Sequence, residues 1–183
     1  MIDLHRYRDI HSHRAADALL GDTVVCISPG AEMLSGGTYS VGIHPWDTID
    51  EPSDRQLALL RQQAADPRCV AIGECGFDLL RGGPIERQQR VFLAHAHLAE
   101  QLHKPLIIHC VRADHLLLAA VKAVRPTVPW ILHGFRGRQS RAEALLRAGL
   151  HLSINPAHPL PYPLPADRTY TESDTADAPT RLQ

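Results

Sequence analysis

Apolar, β-branched runs recur along the whole chain, each ending near Gly, Pro or His, which is the pattern of strands buried on both faces of a parallel sheet. Eight such runs stand out, at 8–13, 23–28, 38–44, 69–77, 105–110, 130–135, 150–155 and 169–174. Between several of them the apolar period lengthens to that of an amphipathic helix. One helix is expected from Ser53, where Ser53 and Gln56 form a capping box ahead of Leu57, Leu60 and Ala64. A longer one is expected over 84–103, with Pro84 in its first turn and Ile85, Phe92, Ala96 and Ala99 on one stripe. Segments 114–124 and 140–148 predict two more, the second ended by Gly149.

Strand and helix alternating up to eight strands predict an α/β fold, a (β/α)8 TIM-like barrel rather than an open sheet, with residues 1–183 as a single domain. About nine residues separate the first two runs, so several helices are expected to be missing or reduced. Segment 156–165 holds five of the 14 prolines and cannot be helical. A stiff extended connector is the expectation there, ahead of a Pro-rich ligand for a partner. Only nine residues follow Asp174, too few for a closing helix, so apolar barrel wall is expected to stay uncovered and to favour a homo-oligomer.

Composition narrows the classes. A net charge of -1 argues against wholesale coating of nucleic acid, and 5% aromatic residues argue against an extended stacking platform for single strands. No apolar run reaches the roughly 18 to 20 residues of a membrane span, and residues 1–9 carry charge where a secretory leader would be apolar. A soluble, cytoplasmic protein with no membrane partner is expected. Cys26, Cys69, Cys75 and Cys110 form no C-x-x-C pair and read as reduced, buried thiols.

In a barrel the working groups stand at the C-terminal ends of the strands. Those ends carry His11 and His13, Glu74, His109, His133, and Asp174. His11 and His13 are two apart and project together, and with the other four they make six nitrogen and oxygen ligands, enough for two divalent cations sharing a carboxylate. Without a thiolate the set suits Zn, Mn or Mg and does not choose among them. Asp3-Leu4-His5-Arg6-Tyr7 starts in a similar way but lacks a second His. His95, His97, His103, His115, His151 and His158 fall on helices or loops, where solvated or capping roles are expected, and His95→Ala is expected to be nearly silent.

The strand-end motifs resemble those of the TatD-like metal-dependent deoxyribonucleases, within the wider amidohydrolase-type barrels. Asp9-Ile10-His11-Ser12-His13 is similar to the family's opening Asp-x-His-x-His, and Val41-Gly42-Ile43-His44-Pro45-Trp46 to its Gly-x-His-Pro segment. Ala71 to Asp78 resembles Ile-Gly-Glu-x-Gly-Leu-Asp, with Phe77 in place of Leu. Pro105 to His109, Ile131 to Gly137, and Thr171-Glu172-Ser173-Asp174 match the later pieces. The resemblance spans nearly the whole chain, and family members usually run longer. It implies that His11, His13 and Asp174 hold one metal, that His109 and His133 hold the other, and that Glu74 bridges them. It also implies hydrolysis of DNA phosphodiesters, commonly from a 3′ end, with DNA bound near an end.

That chemistry needs charge neutralisation and a nucleophile at neutral pH, which two cations supply together. Glu74 and Asp174 are the expected catalytic carboxylates, Asp174 as general base or as a ligand alone. Arg14, Arg81, Arg112, Arg136 and Arg138 each follow a ligand-bearing strand end, so a basic mouth is expected, suited to phosphate. His44 joins them as a substrate-binding residue. A hydrolase of a small ester, amide or lactone uses the same scaffold and is the alternative activity; a degenerate, non-catalytic metal-binding scaffold is the alternative of another class.

Overall fold

The computed structural model describes residues 2–176. Its strands are β1 (Asp9–Ser12), β2 (Thr23–Ile27), β3 (Tyr39–Val41), β4 (Cys69–Asp78), β5 (Leu106–Val111), β6 (Trp130–Leu132), β7 (His151–Ile154) and β8 (Thr169–Thr171). They pair in sequence order, all parallel. The two edges meet as well: Asp174 N–H donates to the His11 carbonyl at 2.9 Å, and His13 N–H to the Thr175 carbonyl at 2.7 Å. Eight strands with their edges joined form the predicted barrel.

Four α-helices cover it among the described residues: α1 (Asp54–Ala65), α2 (Ile85–Leu102), α3 (Asp114–Val124) and α4 (Gln139–Arg147). The capping box of α1 is formed, with Ser53 accepting from Gln56 N–H and the Gln56 side chain accepting from Ser53 N–H. Gly149, at φ 94°, supplies the left-handed residue after α4. A 3-10 turn at Ala15–Leu20 replaces the first crossover helix.

The connector between β7 and β8 is extended, and its periodicity explains how it replaces a helix. Leu160, Tyr162 and Leu164 pack against the main core, while Pro161 and Pro163 fall between them. Alternate positions face the barrel, as in a strand, and the Tyr162 hydroxyl donates to the Gly137 carbonyl. Among the described residues, large exposed apolar side chains are confined to connections: Leu19, Leu20, Trp46, Ile49, Leu79 and Leu80. The expectation that no helix follows Asp174 falls mainly on residues 177–183, outside the described residues.

Two layers of core set the depth of the site. The outer layer joins the helices to the barrel through Ile72, Phe92, Leu106, Ile108, Trp130 and Leu152. The inner one gathers Ile10, Val24, Val70, Ile107, Ile131 and Tyr170 from six different strands, which can meet only across the barrel interior. Two residues beyond Val24, Ile107, Ile131 and Tyr170 stand Cys26, His109, His133 and Glu172, and the strand period of two points these into the same interior one level higher. The apolar plug is therefore the floor on which polar groups collect.

Candidate metal centre

Glu74 is the hub of that polar level. Its carboxylate is 3% exposed and has five imidazoles around it. Oε2 faces His11 Nε2 at 3.3 Å and His13 Nε2 at 3.5 Å. Oε1 faces His133 Nε2 at 2.7 Å, His109 Nδ1 at 2.9 Å and His44 Nε2 at 3.2 Å. The two oxygens thus divide the histidines into two sets. Asp174 Oδ1 joins the first set, 3.8 Å from His11 Nε2 and 3.7 Å from His13 Nε2. Close approach of β4 to β5 makes this possible, because a side chain at Gly76 would overlap the His109 carbonyl.

Two of the three histidines on the Oε1 side, His109 and His133, have a carboxylate behind them. His109 Nε2 lies 3.1 Å from Asp78 Oδ2, and His133 Nδ1 lies 3.6 Å from Glu172 Oε1. Asp78 also accepts from the Trp46 indole N–H at 2.7 Å, and Glu172 from the Ser153 hydroxyl. The hydrogen bond from His109 Nε2 to Asp78 fixes which ring nitrogen carries the proton and turns Nδ1 toward the centre. Asp9 acts on the backbone instead, where its Oδ1 accepts from His11 N–H at 3.0 Å and from Ser173 N–H at 3.1 Å, tying β1 to the segment that carries Asp174.

The electrostatics follow from a carboxylate crowded by imidazoles. Burial pushes the Glu74 carboxyl up, but the charge of His133, the hydrogen bond of His109 and the nearby rings of His11 and His13 outweigh it and hold it well below its usual range. Burial pushes His133 down, and the charges of Glu74 and Glu172 outweigh that, leaving it raised. His13 is raised chiefly by its hydrogen bond to Glu74. A divalent cation fits the same environment. Neither ring nitrogen of buried His11 has a hydrogen-bond partner, which is the mark of a donor reserved for something else. Donor atoms of His11, Glu74 and His133, of His11, His13 and Asp174, and of His44, Glu74 and His109 lie within 4.8 Å of one another. Imidazole and carboxylate donors suit divalent ions of the Zn, Mn or Mg type.

A cavity of 560 Å³ opens above the hub and is lined by His13, His44, Glu74, His109, His133 and Asp174, together with Cys26, Trp46 and Asp47. His44 stands closer to the hub than a substrate-binding role requires. The five arginines are placed differently from the expected mouth, for none of them lines this cavity. Arg81 lies over the Trp46 ring at 4.7 Å, and Arg14 is 3.9 Å from Asp17. Arg112 borders a separate shallow cavity with Asp114 and Arg141, while Arg136 and Arg138 are exposed, Arg138 as the cap residue of α4. Strand-end spacing locates the start of a loop, but a long side chain there can turn either way.

Sequence reasoning passed over Asp78, Glu172 and Cys26. Each carried a parity signal: Asp78 is four residues beyond Glu74, and Glu172 and Cys26 are two beyond inward-facing Tyr170 and Val24. Burial first, then the Glu74 charge, push the Cys26 thiol up to about 12, so it stands in the cavity wall protonated. His95 corrects the expectation of a solvated role. It is fully buried, with Nδ1 donating to the Val91 carbonyl at 2.8 Å and Nε2 accepting from Ile43 N–H at 2.9 Å. Its stripe, Gln88, Phe92, His95 and Ala99, is the core-facing side of α2.

Comparison with known proteins places these features in context. The profile described as "TatD related DNase" matches residues 31–180. A protein of Erwinia billingiae named 3'-5' ssDNA/RNA exonuclease TatD is 38% identical over 117 residues, covering 63% of this chain and 44% of that protein. Its namesake in Shigella flexneri is 30% identical over 126 residues, covering 68% of this chain and 48% of that protein. The matched region is therefore about half the length of these curated relatives. Among solved structures, a TatD homologue of Escherichia coli K12 superposes with a TM-score of 0.74 at 25% identity, covering 94% of this chain and 80% of its own. A TatD family hydrolase of Entamoeba histolytica gives 0.69 at 17% identity, covering 93% of this chain and 73% of its own, a likeness of fold alone. Most of the chain falls within one family profile, on a barrel of the same form: it belongs to the TatD related DNase family.

Proposed function

We propose that this chain is a metal-dependent hydrolase that cleaves phosphodiesters of DNA from a 3′ end, acting on single-stranded ends as the names of its relatives suggest. The observation that carries the reading is the division of Glu74: Oε2 toward His11 and His13, Oε1 toward His109 and His133. His11, His13 and Asp174 would hold one divalent ion, His109 and His133 the other, and Glu74 both. The pair of ions would supply charge neutralisation of the phosphate and a water made acidic enough to attack at neutral pH. Asp174, with a side chain 41% exposed at the rim, is the carboxylate open to water and is assigned as general base. Asp78 would hold His109 in the tautomer that faces the ions, while Glu172 stands behind His133 as a second negative charge. Arg81, which lies over the cavity-wall Trp46, is assigned to the phosphate backbone beside it.

The placement of the other four arginines favours a second reading, hydrolysis of a small ester, amide or lactone, because among the described residues the cavity lining carries no cation beyond its histidines. A substrate panel with metal-loaded protein separates the two. Degradation of linear single-stranded DNA from its 3′ end with closed circles left intact is the expected result; efficient cleavage of neutral esters with linear DNA untouched overturns the nuclease reading.

Four free cysteines support a cytoplasmic location. No helix among the described residues is long and apolar enough to cross a membrane. A second copy of the chain covering Leu19 and Leu20 would complete the partners in this reading, and a stable monomer in light scattering at micromolar concentration would remove it.

A further inference from the structure

Among the described residues, Trp46 is the one aromatic side chain apart from histidine on the wall of the cavity, and it is 42% exposed. It also lines an adjoining hollow of 410 Å³, so it stands on the ridge between the two. Its ring is held on several sides. The indole N–H is bonded to buried Asp78, the Arg81 guanidinium covers the ring at 4.7 Å, and the His44 ring meets it at 4.8 Å and 79°. The short turn that carries it, Pro45–Thr48, is fastened from below, where the Thr48 hydroxyl donates to the Pro45 carbonyl and Arg87 donates to the Thr48 carbonyl at 3.0 Å. An exposed indole normally costs side-chain entropy when a ligand orders it; here that ordering is already in place.

Charge decides which part of a nucleotide this ridge suits. The adjoining hollow is bordered by Asp47 and Asp50, which repel phosphate but accept hydrogen bonds from exocyclic amines, and by Glu51, whose charge is balanced by Arg87 and Arg90. Arg81 lies on the Trp46 ring itself, where a backbone phosphate would meet it. We infer that Trp46 is a nucleobase-stacking subsite, receiving the base next to the cleaved bond, with Arg81 beside it for the phosphate. The inference rests on the nuclease reading for its role in turnover, but binding of a base to the ridge can be measured without it. It also refines what the low aromatic content excludes: an extended platform is absent from the composition, whereas a single fixed ring is enough for one base.

The test uses tryptophan fluorescence and a pair of substrates. The chain has two tryptophans, and Trp130 is 1% exposed, so a ligand that reaches the cavity perturbs Trp46. Deoxyadenosine 5′-monophosphate should quench the emission of the wild type saturably, ribose 5-phosphate should not, and the quench should vanish in Trp46→Leu. In turnover, the wild type should favour a short oligodeoxynucleotide with a normal 3′-terminal residue over one whose terminal residue is abasic, by about tenfold, the order expected for one stacked base. Trp46→Phe should keep most of that preference and Trp46→Leu should lose it, with circular dichroism confirming that both are folded. A variant damaged only in structure would slow both substrates alike and leave their ratio unchanged, which overturns the inference. Absence of any nucleotide-dependent quench also overturns it. Quenching by the nucleotide in a protein that hydrolyses no DNA would retain the subsite and refute the nuclease reading instead.

Discussion

His95→Ala should destabilise the protein substantially although His95 lies outside the metal centre and its cavity. The neutral imidazole links Val91 of α2 to the N–H of Ile43, the residue before His44. Truncation leaves the buried Ile43 N–H without a partner, which costs about 1–3 kcal/mol, and removes the packing of a fully buried ring, on the order of 2 kcal/mol more. A loss of about 3–5 kcal/mol in a chain of this length lowers the melting temperature by roughly 10 °C. Burial, opposed by the Val91 carbonyl, holds the His95 pKa down to about 4, from an unfolded value near 6.5. The unfolded chain therefore takes up this proton first as pH falls, and stability present above pH 6.5 is lost progressively toward pH 4, by about 3 kcal/mol. In His95→Gln the amide oxygen can replace the acceptor and cannot titrate, so that part of the acid sensitivity should disappear. Thermal unfolding followed by circular dichroism between pH 7.5 and 4 reads both effects. An alanine variant melting within about 2 °C of the wild type at pH 7.5, or a glutamine variant with an unchanged acid slope, refutes the reasoning.

Glu74→Ala should abolish retention of both metals after gel filtration while the fold persists, because the one carboxylate faces both histidine sets; elemental analysis showing two ions per chain in the variant would contradict it. Exhaustive chelation should abolish hydrolysis and added divalent ions should restore it, with full activity after verified metal loss as the contrary result. Divalent-ion affinity measured by calorimetry should fall from pH 8 to pH 6 with proton release on binding, since Glu74 raises His133 and His13 and protons then compete for the same nitrogens; equal affinity at both values would tell against histidine ligation. Replacing Arg112 and Arg136 together with Ala should change the Michaelis constant for DNA less than Arg81→Ala does, because Arg81 lies over Trp46 of the cavity wall whereas Arg112 borders a separate cavity and Arg136 is exposed; kinetics at two salt concentrations check the order.

The barrel was legible because strands buried on both faces leave long apolar runs that few other structures produce. Their ends were harder to place. The run 38–44 is ladder-paired only over Tyr39–Val41, since Pro45 opens the next turn and the chain has already left the sheet at Gly42. The six expected ligands converge because each stands at a strand end, where topology alone brings them together. What escaped were groups whose role depends on a neighbour in another strand. Asp78 is only the last residue of the Ile-Gly-Glu-x-Gly-Leu-Asp-like stretch until His109 and Trp46 are found at its oxygen. His95 looks like a polar helix position until the stripe of Phe92 and Ala99 is followed through it. Directions of long loop side chains, as in Arg112 and Arg138, are set by contacts that no local pattern encodes.

The proline connector between β7 and β8 has a consequence for chain entropy. It carries no α-helix, only a 3-10 turn at Ala166–Arg168, yet β8 must return at a fixed register to bring Glu172 and Asp174 to the hub. Each proline limits the freedom of the unfolded chain, which is worth roughly 0.4–1 kcal/mol where the folded conformation suits it. Five in ten residues mean that much of the ordering of this segment is already present before the barrel closes. The last two acids of the centre are then delivered by a strut that loses little freedom on folding, and a glycine-rich replacement of equal length would have to recover that freedom from the contacts of Leu160, Tyr162 and Leu164 alone.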